Sequence, residues 1–430
     1  MIPTAPRYWL TNAHVPACLL NPEEAIAATK TREGLVAVDI EIAGNAIANI
    51  VPATATSRQE LRHDLKNGIV FPCFVDIHSH LDKGHTCERS PNPDGTFDSA
   101  LTTVHKDAEY WNEEDVYRRM EFGIKCSYAH GTKAIRTHID SFGEQAAISL
   151  GVFKTLQNEW ANRVILQAVS LVTLDYYQTP EGIALADRIA EIGGILGGVV
   201  YTHPDLDAQL DAVFTLAKER HLDLDFHTDE NTDPSSICLR HIAQAAIRHQ
   251  FAGKIVCGHC CSLSVQSPES VENTLSLVKQ AGIGIVSLPM CNLYLQDRQP
   301  NRTPRLRGVT ILHELKQQGI PIAVASDNCR DAFYGFGDHD VLEVFTQSVR
   351  IAHLDTPYGD SPCTVTKTAA DLIGLPTVGR IAIGLPADLV IFKARYFSEL
   401  LSRSQHDRII LRNGKEIDTK LPDYSELDNL

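Results

Sequence analysis

A chain of 430 residues, 43% hydrophobic and 22% charged, can bury a large core and exceeds the usual size of one compact domain. Its net charge of -15 argues against a general affinity for nucleic acid or anionic membrane, while leaving a small neutral ligand open. No apolar run approaches the roughly 18 residues of a membrane span, no signal peptide is visible, and eleven cysteines read as reduced thiols, so a cytoplasmic location is expected.

In chain order, YWLTNAHV and VAVDIEIAGNAIANIVPA alternate apolar and polar residues as half-buried antiparallel strands do. From about Ile69 to Gly374 the pattern changes. IVFPCFVDIH, KAIRTHID, VILQAVSLV, ILGGVVY, LDLDFH, IVCGH, IGIVSL and IAVASD have the character of buried parallel strands. Amphipathic stretches such as EEDVYRRMEFGIKCSYAHG, LDAQLDAVFTLAKERH and VENTLSLVKQAG separate them. Eight strand–helix repeats predict an α/β fold, a (β/α)8 TIM barrel. A doubly wound open sheet is disfavoured, because no GxGxxG or P-loop stands at a strand-to-helix junction. ADLVIFKA and RIILRNGKEI then return to alternation. The expected organisation is a barrel over residues 69–380, flanked by a small β-sandwich-like domain built from residues 1–68 and 381–430.

The chemistry of such a barrel gathers at the C-terminal ends of its strands. Side chains alternate along a strand, so His78 and His80 share one face at the mouth. His227 closes the fifth run and Asp327 the eighth. Three imidazoles and a carboxylate form a mixed N/O set for a divalent cation, zinc or ferrous iron, with a position left for water. An isolated HxH is weak evidence, but this one follows an apolar strand and precedes Asp82 and Lys83. Asp327 also suits an N-cap, a role compatible with ligation. Cys257 and Cys260 resemble half a zinc clip; without a second half they read as strand-end packing. His85, His138 and His203 read as structural or pocket-wall residues.

These segments together resemble the amidohydrolase superfamily and, within it, the bacterial cytosine deaminase family. The resemblance rests on HSHLDK, FHTDE, CGHCC and ASDN in the right order on the right strands, with RTHID and LPMCNLYLQDR as further matches. It covers nearly the whole chain. It implies one metal ion held by His78, His80, His227 and Asp327, in keeping with the lack of a bridging lysine after the fourth strand. It also implies catalytic roles for Glu230, His259 and Asp327. In the implied reaction a metal-activated water attacks the amino-bearing carbon of a flat N-heterocycle, with Asp327 and His259 placed to take its proton. Glu230 protonates the neighbouring ring nitrogen, and ammonia leaves. The unrelated zinc deaminase signature, HxE with PCxxC, is absent.

Cytosine, converted to uracil and ammonia, is the first expectation for the substrate. The family's glutamine after the third strand corresponds to Thr173, the second of its paired aspartates to Asn328, and its pocket tryptophan to Phe333. Phe97 and Lys83 complete the expected substrate-binding set, and HLDK is shared with relatives acting on aminotriazines. These departures keep other reactions on the same metal site open: on an aminotriazine, an N-alkylamino-triazine or a cyclic amide. A non-catalytic metal-binding scaffold is a further alternative, against which Glu230 and His259 argue. The expected partner is a small heterocyclic molecule, with neither nucleic acid nor membrane; a homo-oligomer is left open.

Overall fold

Alternation at the N-terminus gives β1 (Arg7–Pro16), β2 (Leu35–Ala43) and β3 (Ala46–Pro52), paired antiparallel, with β4 (Arg62–Asp64) parallel to β1. The structure, a computed structural model, describes residues 2–21, 30–53, 61–404, 407–428 and 430; the rest of the two terminal segments lies outside the described residues.

The run IVFPCFVDIH, expected to be one strand, is two: β5 (Val70–Pro72) and β6 (Phe74–Ser79). Pro72 has no N–H to offer a ladder, and the chain changes partners at Cys73. From β6 to β13 the sheets are parallel. β6, β7 (Thr132–Asp140) and β8 (Ile165–Leu171) form one. The other is β9 (Leu196–Val200), β10 (Leu224–Thr228), β11 (Ile255–His259), β12 (Gly284–Ser287) and β13 (Ile322–Val324), neighbours in chain order. These eight strands stand where the eight apolar runs placed them. Isolated parallel bridges mark both seams: Val169 to Ile195 and Thr173 to Val199 between β8 and β9, and Ser79 to Asp327 between the end of β6 and the segment after β13.

Helices fill the intervals, among them Glu113–His130, Leu206–Arg220 and Pro268–Ala281, as their periodicity predicts. The first ends at Gly131 with φ 99°, where a Cβ would stand 2.8 Å from Val390 Cγ2, so the turn and the packing both require glycine. The C-terminus adds β14 (Leu389–Ile391), β15 (Ile409–Arg412) and β16 (Lys415–Glu416), joined to β5 in the order β16-β15-β14-β5. A two-residue Asn413–Gly414 turn, both residues at positive φ, closes the last hairpin. Tyr8 Oη donates to Gly414 O at 2.7 Å, bringing the two terminal sheets together. All eleven cysteines are free thiols. Among the described residues no helix is long and apolar enough to cross a membrane.

Candidate active site

On β6 the pleat sorts the side chains. Val75 and Ile77 pack in an apolar cluster with Ala369, Ala370 and Ile373, which leaves Asp76 and His78 on the opposite face. Asp76 accepts hydrogen bonds from Ser326 N (3.1 Å) and Ser326 Oγ (2.5 Å), and Asp327 N donates to His78 O at 2.9 Å. Those bonds hold Asp327, at φ 64°, beside His78. His227 stands near the end of β10. The turn after it is fixed by Asp229, whose carboxylate accepts from the amides of Cys238 (2.9 Å) and Leu239 (3.0 Å); Glu230 follows directly.

His227 Nε2 lies 3.2 Å from both His78 Nε2 and His80 Nε2. Asp327 Oδ1 lies 3.5 Å from His78 Nε2 and 3.2 Å from His80 Nε2. Four donors each about 2.1 Å from a tetrahedral ion would stand about 3.4 Å apart, which these separations match. Neither carboxylate oxygen of Asp327 has a hydrogen-bond partner among the described residues, although Asp327 is only 1% exposed. A buried carboxylate without compensation costs several kcal/mol, and a cation would supply it. Burial lowers the basicity of His78, His80 and His227 well below that of free imidazole, which keeps their lone pairs available for coordination. The residues fit a divalent metal ion. A ligand atom of His259 also lies within 4.8 Å of those of His78, His227 and Asp327.

Beside this set, Asn292 Nδ2 donates to Glu230 Oε1 at 3.2 Å and faces His259 Nδ1 at 3.1 Å, while His259 Nδ1 is 3.2 Å from the same Glu230 oxygen. Burial, reinforced by the charge of Asp327, pushes the Glu230 carboxyl well above the usual range. Burial thus favours its protonated form. Burial takes His259 the other way, down to about 4, although Asp327 pulls it upward.

A cavity of about 260 Å³ opens onto these groups. Lys83, Phe97, Thr173, Asn328 and Phe333 all line it, with His80, His227, Glu230, His259 and Asp327; His78 lies behind, fully buried. The Phe97 and Phe333 rings meet edge to face at 5.4 Å. Asp331 holds Asn328 Nδ2 (2.7 Å) and Phe333 N (2.8 Å). Lys83 Nζ pairs with Asp140 at 2.7 Å and stands 5.6 Å from the Phe333 ring centroid.

Several residues of the site were not singled out from sequence. Asn292, on helix Pro289–Leu295 after β12, is one, and Asp331 is another. Helix Phe97–Asp107 walls the cavity with Leu101 and Val104, followed by Ala108 and Trp111. The spacing of Phe97, Leu101, Val104 and Ala108 is a helical one and was a usable signal. His138 is fully buried with its ring 3.9 Å from that of His78, and neither of its nitrogens is hydrogen-bonded among the described residues. His203 is exposed and lies outside the cavity. Cys257 and Cys260 are buried at the end of β11.

Residues 174–408 match a family profile described as "Amidohydrolase family". A pterin deaminase from Rhizobium rhizogenes is 49% identical over 431 aligned residues, covering 100% of this chain and 98% of that protein. An N-isopropylammelide isopropyl amidohydrolase from a Pseudomonas species is 24% identical over 391 residues, 88% of this chain and 93% of that one. Among solved structures, 5-methylcytosine deaminase from Klebsiella pneumoniae, liganded with 5-fluorocytosine, superposes with a TM-score of 0.82 at 24% identity. It covers 97% of this chain and 98% of its own, a likeness of fold.

Proposed function

Because this chain belongs to the amidohydrolase family and is a metal-dependent hydrolytic deaminase acting on C–N bonds, we propose that its substrate is a pterin. A pterin is a fused bicycle whose amino-bearing carbon lies between two ring nitrogens. The observation that carries this reading is the 49% identity with the Rhizobium pterin deaminase, spread over essentially the full length of both chains. The cavity supports it: besides Glu230 and His259 its lining includes the apolar side chains of Phe97, Leu101, Val104 and Trp111, which suit a flat aromatic bicycle. Cytosine, the first expectation from sequence, is the smaller rival.

In this reading the eight parallel strands close into a (β/α)8 barrel, and the two terminal sheets form one small β-domain. One divalent cation, zinc or ferrous iron, is held by His78, His80, His227 and Asp327. When bound, it supplies a Lewis acid that acidifies a water molecule at neutral pH. Asp327 and His259 are the bases that would take up the proton of the attacking water. Glu230, whose burial favours the protonated form, delivers a proton to the ring nitrogen next to the amino carbon. Asn292 holds the Glu230 carboxyl in place and faces His259 Nδ1. The amino nitrogen leaves as ammonia once protonated, a carbonyl takes its place, and one water is consumed. Lys83, Thr173 and Asn328 contact the polar edges of the ring, and Phe97 and Phe333 contact its apolar surface.

The test is ammonia release by metal-loaded protein from pterin, cytosine, an aminotriazine and an N-alkylamino-triazine. Pterin is expected to give a kcat/KM at least tenfold above any other member of the panel, about 1.4 kcal/mol of transition-state discrimination. Turnover of cytosine without turnover of pterin would overturn the substrate. Release of an alkylamine alone would overturn the reaction.

A further inference from the structure

A second buried group of metal-ligating side chains, His85, Cys329 and His339, plays no part in the reaction just proposed. One ligand atom from each lies within 4.8 Å of the other two. The Nε2 atoms of His85 and His339 are 3.0 Å apart, close to the 3.2 Å separations within the catalytic set. All three side chains are at least nine-tenths buried, with exposures of 7%, 1% and 3%.

The surroundings keep these atoms together and leave room beside them. His85 N donates to Cys329 O at 3.1 Å and Cys87 N to Arg330 O at 3.0 Å, so the loops after β6 and β13 are joined through their backbones. Gly123 sits inside helix Glu113–His130, where glycine costs about 1 kcal/mol relative to alanine. A Cβ there would stand 3.0 Å from His339 Nε2, and one on Gly337 would stand 3.4 Å from Cys329 Sγ. A side chain at Gly123 would crowd Leu81 Cδ2 (2.9 Å) as well as the imidazole of His339. The two guanidinium groups nearest His85 are each neutralised, Arg119 by Asp115 at 2.6 Å and Arg330 by Glu88. A cation would therefore not meet uncompensated positive charge.

We propose that His85, Cys329 and His339 form a second metal site, structural and not catalytic, that takes a zinc ion through two imidazole nitrogens and one thiolate. The donor set is of the borderline-to-soft kind that selects zinc over magnesium or calcium. Binding forms a zinc–sulfur bond and releases the thiol proton of Cys329 to solvent. No other His, Cys, Asp or Glu among the described residues joins the group, so these side chains supply three ligands. The ion would clamp the loop that carries Lys83 to the loop that carries Asn328 and Phe333, two rims of the substrate cavity.

Cobalt(II) substitution tests this without recourse to turnover, because the catalytic set contains no sulfur. The cobalt-loaded wild type is expected to show a thiolate-to-cobalt charge-transfer band in the ultraviolet, retained in His227→Ala and lost in Cys329→Ser. Zinc content is expected to fall by one equivalent per chain in Cys329→Ser. Absence of the band in the wild type, or its survival in folded Cys329→Ser, overturns the proposal. If Cys329→Ser does not fold, His339→Gln replaces it: the band must weaken or shift, and an unchanged spectrum overturns the proposal equally. Since no readout is enzymatic, either outcome leaves the assignment of the deaminase site untouched.

Discussion

Glu230 and Asn292 share one hydrogen bond, and together they separate chemistry from binding. Glu230→Gln keeps the shape and removes the transferable proton. The expected loss in kcat is about 100- to 10,000-fold, with KM and metal content little changed, measured by steady-state kinetics and metal analysis. Asn292→Ala removes a donor to a buried acid. One such bond is worth about 1.5–3 kcal/mol, so kcat is expected to fall about 10- to 100-fold in a chain whose circular dichroism is unchanged. At this scale the sequence marks out polar residues that end apolar strands, as His78, His227 and Asp327 do, and the fold brings those three side chains together. An imidazole or carboxylate there has few bland explanations. Asn292 sits inside a short helix, and an amide side chain has so many structural uses that nothing in its neighbourhood marks it out.

Helix Phe97–Asp107, which walls the cavity, is anchored by a charged cluster. Arg89 Nε and Nη2 donate to Asp107 at 2.8 and 3.0 Å, Arg89 Nη1 donates to Asp115 at 2.5 Å, and Trp111 Nε1 donates to Asp107 at 2.7 Å. Burial alone would raise both carboxyls, but the hydrogen bonds from Arg89 and its neighbours outweigh it and hold them below the ordinary range. A carboxylate with a depressed folded pKa adds stability that is complete above its unfolded value, about 3.9. That stability drains away as pH falls through the folded value. Acid denaturation of the wild type is therefore expected to gain a contribution below about pH 4 that is missing in Arg89→Ala. At neutral pH that variant is expected to lose about 3 kcal/mol, read by urea unfolding. The same scale shows where periodicity stops being informative. β5 and β6 are buried on both faces, so the run Val70–Ser79 reads as continuous although its hydrogen-bond partners change midway. Pro72 was the one local sign of the change.

For the molecule as a whole, a cation held as proposed by groups from β6, β10 and the segment after β13 would join distant parts of the chain. Chelation is expected to abolish deamination and to lower the melting temperature, with both restored by zinc or ferrous ion. An ion present at a hundred times its Kd contributes about 2.7 kcal/mol, well within the resolution of calorimetry. The alternation of strand and helix made the order of the eight parallel strands legible from end to end. The pairing of the termini was less so, because antiparallel partners so far apart in sequence leave no periodic trace.

That pairing has a consequence for how the polypeptide is made. β5 meets Ile391 at Val70 and Leu389 at Pro72, so its neighbour leaves the ribosome about 300 residues later. Until then an unsatisfied strand edge faces solvent, a template for aggregation that the nascent chain must keep covered. A stop codon placed just before Leu389 should drive the product into inclusion bodies, and supplying residues 381–430 as a separate peptide should recover part of it in the supernatant.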